Sequence, residues 1–227
     1  MKNILITGAS GNLGQAVVKR FLSEGHRVIA IASSTSTAGT EPNLITITAD
    51  LSDEAQVNEK IGKVISDYKT IDAALLLVGG WAGRNIFDTD GATLKKMYAM
   101  NFETAYYVAR PVFAQMMKQT GGGRIVFIGA RPALNAKDGK SSLAYGLSKS
   151  LIFKLADYLN AEGASKNVVS AVVVPSTIDT PQNRKGMPNA DFNAWVKPES
   201  IASVISFLTS DEGASLREPV TKVYGGA

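Results

Sequence analysis

Apolar residues in this chain come in short dense runs, separated by longer stretches with helical spacing. Residues 3–7, Asn-Ile-Leu-Ile-Thr, form the first run. Behind them, Gln15 to Leu22 repeats apolar residues every three or four positions. Runs of the first kind predict strands over 3–7, 26–32, 44–48, 71–78, 124–128, 168–174 and 220–224. Helical spacing predicts helices from Gln15 to Leu22, from Ser52-Asp53-Glu54 to about Tyr68, and over roughly 91–119, 142–162 and 198–209. Gly121-Gly122-Gly123 breaks the longest helix, and Pro175 stops the sixth strand. The Ser, Thr, Gly and Pro-rich residues 33–43 and the polar residues 176–197 read as loops.

Strands this uniformly apolar, alternating with helices, belong in a parallel sheet covered on both faces. The expected fold is α/β: a single doubly wound Rossmann-type domain over 1–227, with about seven strands and a substrate loop at about 176–197. No internal repeat or linker interrupts the pattern.

Composition narrows the chemistry. The chain has 227 residues, 45% hydrophobic and 19% charged, which is ordinary for a globular protein. It has no Cys, so disulfides and thiolate metal sites are excluded, in keeping with a reducing compartment. The one His, His26, precedes a strand and reads as a turn residue, so no metal site is expected. Net charge is +4 without a basic run, which argues against nucleic acid. No apolar run reaches the roughly 18 residues of a membrane span, and the N-terminus lacks a signal-peptide profile. A cytoplasmic protein with a small-molecule substrate is expected.

Gly8, Gly11 and Gly14 follow the first strand and open the first helix. In that place one glycine permits the tight turn, one admits a pyrophosphate close to the backbone, and one lets helix and strand pack. The free N–H groups at the helix start then favour phosphate. Gly8, Ser10, Gly11, Asn12, Leu13 and Gly14 are the expected dinucleotide-binding residues. At the end of the second strand an acid would accept from the adenine ribose 2′-OH and repel a 2′-phosphate. Here the stretch is Ile31-Ala32-Ser33-Ser34-Thr35-Ser36-Thr37, with no acid and no nearby base. Arg27 lies at the other end of that strand, roughly 17 Å away at about 3.3 Å per residue. The hydroxyls of Ser33, Ser34 and Thr35 can donate to a phosphate, so the cofactor is NADPH or NADH, with a mild lean to NADPH.

Tyr145 and Lys149 stand four residues apart in a predicted helix, on one face. A cation beside a phenol favours the phenolate, so the pair is expected to yield an acidic phenol able to exchange protons near neutral pH. Ser141 and Ser142 precede Tyr145 closely and read as caps of its helix.

The glycine loop, Asp50, Asn101, Tyr145 and Lys149 stand in the order seen in short-chain dehydrogenases/reductases, and the chain resembles that family over essentially its whole length. The resemblance implies that Asp50 and Leu51 contact the adenine and that Gly79 and Gly80 line the cofactor site. Pro175, Ile178 and Thr180 would flank the nicotinamide, with Thr180 holding its carboxamide. Asn101 would help hold a proton-relay water, Tyr145 would be the acid, and Lys149 would bind the ribose and lower the Tyr pKa.

Two stretches resemble the dihydropteridine reductase group of this family. Gly79-Gly80-Trp81-Ala82-Gly83 replaces the usual Asn-Asn-Ala-Gly, and Asp179 to Pro188 with Phe192 and Trp195 fills the loop after the sixth strand. The usual Ser about thirteen residues before the Tyr is also missing: Ile128-Gly129-Ala130-Arg131-Pro132-Ala133 has no hydroxyl. Reduction of quinonoid dihydropterin to tetrahydropterin is implied, with Trp81 stacking on the flat substrate and Phe192 and Trp195 forming a lid. Asn101 follows the wider family pattern more than that group's, and the second strand lacks the acid that goes with that group's NADH preference. Two other readings share the pattern. One is a carbonyl or alcohol reductase; the other is a nucleotide-sensing regulator without turnover, against which Tyr145 and Lys149 count. Tyr106, Tyr107, Phe113 and Phe153 give the two long helices a second apolar face, which predicts a homodimer.

Overall fold

The computed structural model describes residues 1–33 and 41–226. Its strands are β1 (Asn3–Thr7), β2 (Arg27–Ala32), β3 (Leu44–Thr48), β4 (Ala73–Leu76), β5 (Gly123–Ile128), β6 (Val168–Pro175) and β7 (Val220–Val223). All pair in parallel, in the order β3-β2-β1-β4-β5-β6-β7. The order reverses direction between β1 and β4. A crevice at such a switch point, beyond the carboxyl ends of the strands, is where ligands bind in open α/β sheets.

The flanking helices are α1 (Asn12–Ser23), α2 (Glu54–Tyr68), α3 (Gly91–Tyr98), α4 (Thr104–Met116), α5 (Arg131–Leu134), α6 (Ala136–Gly139), α7 (Leu143–Gly163), α8 (Pro181–Gly186) and α9 (Pro198–Thr209). Successive strand residues face opposite sides, and the core divides accordingly. Ile4, Ile6, Val28 and Ala30 pack with Val17 and Phe21 of α1 and Ile201 and Ile205 of α9. Leu5, Ile29 and Ile31 pack with Val57 of α2, Val108 and Val112 of α4 and Ile152 of α7.

Several boundaries differ from the sequence expectation, each for a local reason. The fourth strand is shorter than 71–78, because backbone groups at its ends bond elsewhere. Ile71 N–H donates to Gln119 Oε1 at 2.9 Å at the near end, and Leu77 N–H donates to Thr7 Oγ1 at 3.1 Å at the far end. The long helix over 91–119 is three pieces: α3, a π-helical turn over Ala99–Glu103, and α4 with Pro111 inside it. Residues 131–139 hold two short helices where a loop was expected. The segment 176–197 contains α8, a 3-10 turn over Phe192–Ala194 and a bridge from Ile178 to Val196. Asp53 caps α2 by accepting from the N–H groups of Ala55 and Gln56. Ser142 stands at the N-cap of α7, but its side chain makes no capping bond there, and Ser141 is exposed, so the capping role expected of either is absent.

Candidate active site

The glycine loop leaves β1 at Gly8, where φ is +66°, a conformation that costs a side-chain-bearing residue free energy. Gly11 N–H donates to the Gly8 carbonyl at 3.0 Å and closes the turn. A Cβ on Gly14 would lie 2.1 Å from the Gly8 oxygen and 2.8 Å from Ala9 Cα, so only glycine lets α1 seat on this turn. Gly11 is the N-cap, and the first-turn N–H groups at Asn12, Leu13 and Gly14 have no partner within the helix and remain as helix-end donors.

Beside the loop lies a cavity of about 590 Å³, lined by Gly8, Ser10, Ala32, Ser33, Asp50, Leu51, Lys96, Met100 and Thr104 among others. Its place and size suit the adenosine half of a dinucleotide. Asp50 Oδ1 accepts from the Ser52 hydroxyl at 2.7 Å and the Ser52 N–H at 2.9 Å, and these bonds hold its pKa below the ordinary carboxylate value. Ser33 is exposed at the rim. Ser34 and Thr35 lie outside the described residues. Arg27 is occupied far from the cavity, donating to Asn3 Oδ1 at 2.9 Å and lying over the Tyr68 ring. The expectation of no nearby base is corrected by Lys96. It comes from α3, some sixty positions past the end of β2 in sequence, so no local signal pointed to it.

At the other end of the crevice, Asn101 sits in the π-helical turn, 1% exposed. Its Oδ1 accepts from Gly80 N–H at 2.9 Å, and its Nδ2 donates to the Gly80 carbonyl and to Ser148 Oγ, each at 3.1 Å. The side chain is thus spent on pinning the 79–80 turn to α7, which differs from a side chain free to hold water. Single π-helical turns widen a helix locally and are common at functional sites. Here the turn carries Asn101 into the crevice. A Cβ on Gly79 would lie 2.7 Å from Asn101 Oδ1 and 3.0 Å from Lys149 Nζ, so a glycine there lets three chain segments meet.

Lys149 is buried and donates to the Ile128 carbonyl at 2.8 Å, which leaves two of its three N–H donors for other partners. Burial pulls its pKa down to about 8. Burial also pushes the Tyr145 phenol up to about 12. The expected acidification of Tyr145 by Lys149 is therefore reversed: loss of solvent decides both groups, disfavouring each charged form. At neutral pH the phenol keeps its proton and is a weaker acid than a free tyrosine, so it can donate only to a group that gains negative charge as it reacts.

In the stretch that lacks the usual Ser, a Cβ on Gly129 would lie 2.8 Å from both Phe153 Cζ and Val172 Cγ1, so a side chain there would force those neighbours to shift. Arg131 turns away, over the Tyr224 ring and toward Asp138. Pro175 is buried at the end of β6. Thr180 caps α8, its Oγ1 accepting from Asn183 N–H at 3.1 Å, which leaves its hydroxyl proton and one lone pair to offer a carboxamide. Trp81 is 69% exposed, with its six-membered ring against Gly83, and so is not a core residue. Phe192 and Trp195 pack ring to ring at 4.8 Å, and Arg184 lies over Phe192 while pairing with Asp179. No group of three or more His, Cys, Asp or Glu side chains converges among the described residues, and none of their helices is long and apolar enough to cross a membrane.

Comparison with known proteins gives a consistent family assignment. Residues 2–190 match the profile described as short chain dehydrogenase. Dihydropteridine reductase of Dictyostelium discoideum is 33% identical over 205 residues, 88% of this chain and 84% of that protein. The 3-oxoacyl-[acyl-carrier-protein] reductase FabG of Thermotoga maritima is 26% identical over 99% of this chain and 97% of its own length. Among solved structures, ElxO with NADP bound superimposes with a TM-score of 0.90, covering 99% of this chain and 98% of its own at 23% identity, a likeness of fold.

Proposed function

The chain belongs to the short-chain dehydrogenase/reductase family, and from that premise we propose that it reduces a quinonoid dihydropterin to the tetrahydropterin with NADPH or NADH. The observation that carries this reading is the pairing of a protonated, buried-type phenol at Tyr145 with a stretch at 129–133 that holds no hydroxyl. The 33% identity to a dihydropteridine reductase supports it.

The residues present fit a nicotinamide cofactor. The Gly8–Gly14 turn and the first turn of α1 would take the pyrophosphate, and the Asp50 and Leu51 cavity the adenosine. Lys149, with two donors left, would take the nicotinamide ribose hydroxyls. Thr180 would offer its hydroxyl to the carboxamide. When bound, the cofactor supplies a hydride. Tyr145 then delivers the matching proton to the substrate nitrogen. Asn101 keeps Gly79 and Gly80 clear of this volume by holding the turn on α7. Trp81 presents an exposed indole face to a flat ring, and Phe192 with Trp195 closes the crevice from the 176–197 side. An already conjugated substrate is easy to reduce, so the reaction proceeds without a hydroxyl to polarise a carbonyl.

The test is oxidation of NADPH and NADH with freshly generated quinonoid dihydropterin, run against a panel of aldehydes and ketones. The expected result is a kcat/KM at least tenfold higher for the pterin. A preference for the aldehydes or ketones replaces this reading with a carbonyl reductase. Tight cofactor binding with no turnover on either replaces it with a nucleotide sensor.

A further inference from the structure

Among the described residues, the lining of the adenosine-sized cavity carries two ionisable side chains, Asp50 and Lys96. They differ in availability. One oxygen of Asp50 already serves both donors of Ser52, and the residue stands at the end of β3 rather than β2. An acid that repels a ribose phosphate belongs at the end of β2, where this chain has Ala32 and Ser33. The following residues 34–40, Ser-Thr-Ser-Thr-Ala-Gly-Thr, carry no charge in any conformation.

Lys96 is exposed on α3 and forms no ion pair within 4.0 Å among the described residues. Lys96, Met100 and Thr104 follow at i, i+4 and i+8 and line the same cavity, as one helical face should. A lysine in a last helical turn is often explained by the free carbonyls and negative dipole end there. That explanation does not serve here. The backbone runs on through the π-helical turn into α4, so α3 has no open carboxyl end. The side chain lines the cavity instead.

We propose that Lys96 sets the cofactor preference of this protein by pairing with the 2′-phosphate of NADPH, a task that the end of β2 lacks a base to perform. This deepens the functional reading above and rests on the cavity holding the adenosine half. An ammonium on a flexible stem meets a phosphate as a point charge, and the uncharged hydroxyl of Ser33 adds a donor without repulsion. NADH would still bind, through contacts that do not involve Lys96.

The test uses the full chain and two probes that separate the site from the charge. Binding of 5′-AMP and of 2′,5′-ADP is measured by calorimetry on the unsubstituted protein, K96Q and K96R. The expected result is tighter binding of 2′,5′-ADP than of 5′-AMP. K96Q should cut the 2′,5′-ADP affinity about tenfold, the scale of one lost charge-assisted bond, and leave 5′-AMP within about twofold. K96R should keep the discrimination. Steady-state kinetics should follow, with K96Q raising the KM for NADPH and not for NADH. Equal effects of K96Q on both probes, or none, overturn the proposal while leaving the cavity assignment standing. Failure of both probes to bind the unsubstituted protein overturns the cavity assignment itself.

Discussion

Asn101 and Gly80 hold each other at two points: the amide oxygen of Asn101 accepts from Gly80 N–H at 2.9 Å, and its amide nitrogen donates to the Gly80 carbonyl at 3.1 Å. This reciprocal bond resembles a strand pairing made by a side chain. It fastens the turn after β4 to the helix that carries Tyr145 and Lys149, through the further bond from Asn101 to Ser148. Asn101→Ala removes the bonds to both groups of half-buried Gly80 and to Ser148 Oγ, which keeps its own bond to the Tyr145 carbonyl, so the cost is about 0.5–1.5 kcal/mol per lost bond. The expected outcome is a fall in Tm of several degrees with a loss of kcat, read by thermal unfolding and steady-state kinetics. Unchanged values for both would show that the turn stands without it.

Tyr145→Phe removes the proposed proton donor and little volume. General acid contributions are typically about 10²- to 10⁴-fold, so kcat should fall by at least about 10². Cofactor affinity, read by fluorescence titration, should stay within about twofold. Activity that survives the change would remove Tyr145 from the reaction.

Lys149 makes a prediction in pH. Its folded pKa of about 8 lies below the ordinary 10.5. Catalysis that needs the ammonium should therefore decline as pH rises through about 8. Stability should move the other way. Between about 8 and 10.5 the unfolded chain binds the proton and the folded chain does not, so unfolding free energy rises with pH. Tyr145 opposes this above its ordinary 10, because its folded pKa is raised to about 12 and the folded state keeps that proton longer. The clean window is pH 8 to 10. Denaturant titrations across it should show the rise in the unsubstituted protein and lose most of it in Lys149→Met.

Gly83 and Trp81 test the substrate platform. A Cβ on Gly83 would lie 2.4 Å from Trp81 Cη2. The indole is the mobile partner, so Gly83→Ala should displace it and spare the fold. The expected signature is a raised KM for a flat bicyclic substrate, with Tm unchanged. An unchanged KM would mean that the indole face is not where the substrate lies.

Tyr98, Phe102 and Tyr106 form an aromatic row with centroids 5.3 and 6.0 Å apart, and Leu147, Leu151 and Tyr158 lie exposed along one face of α7. A homodimer through these helices would cover them, whereas Tyr107, Phe113 and Phe153, expected on that second face, pack against the core. Light scattering should give about 48 kDa, twice the 24.0 kDa chain, and Tyr106→Glu should shift it toward the single-chain mass. A single-chain mass for the unsubstituted protein would rule the dimer out.

The local pattern of the chain determined the parallel sheet, its strand sequence and the glycine turn, because each rests on neighbours close in sequence. Buried strands need unbroken apolar runs, and Gly14 meets the backbone of Gly8 and Ala9 within its own turn. Tyr145 and Lys149 were likewise set on one face by helical spacing alone. Their proton affinities were not. The cation-beside-phenol argument foresaw an acidic Tyr145, whereas burial by distant elements controls both groups and raises it. Tertiary structure also decided that Asn101 spends its amide on Gly80 and Ser148, and that Thr180 caps a helix absent from the expected loop. Above all, it brought Lys96 to the cavity that the end of β2 had left without a base. These are effects of desolvation and of contacts between segments far apart in sequence, and no local spacing encodes either.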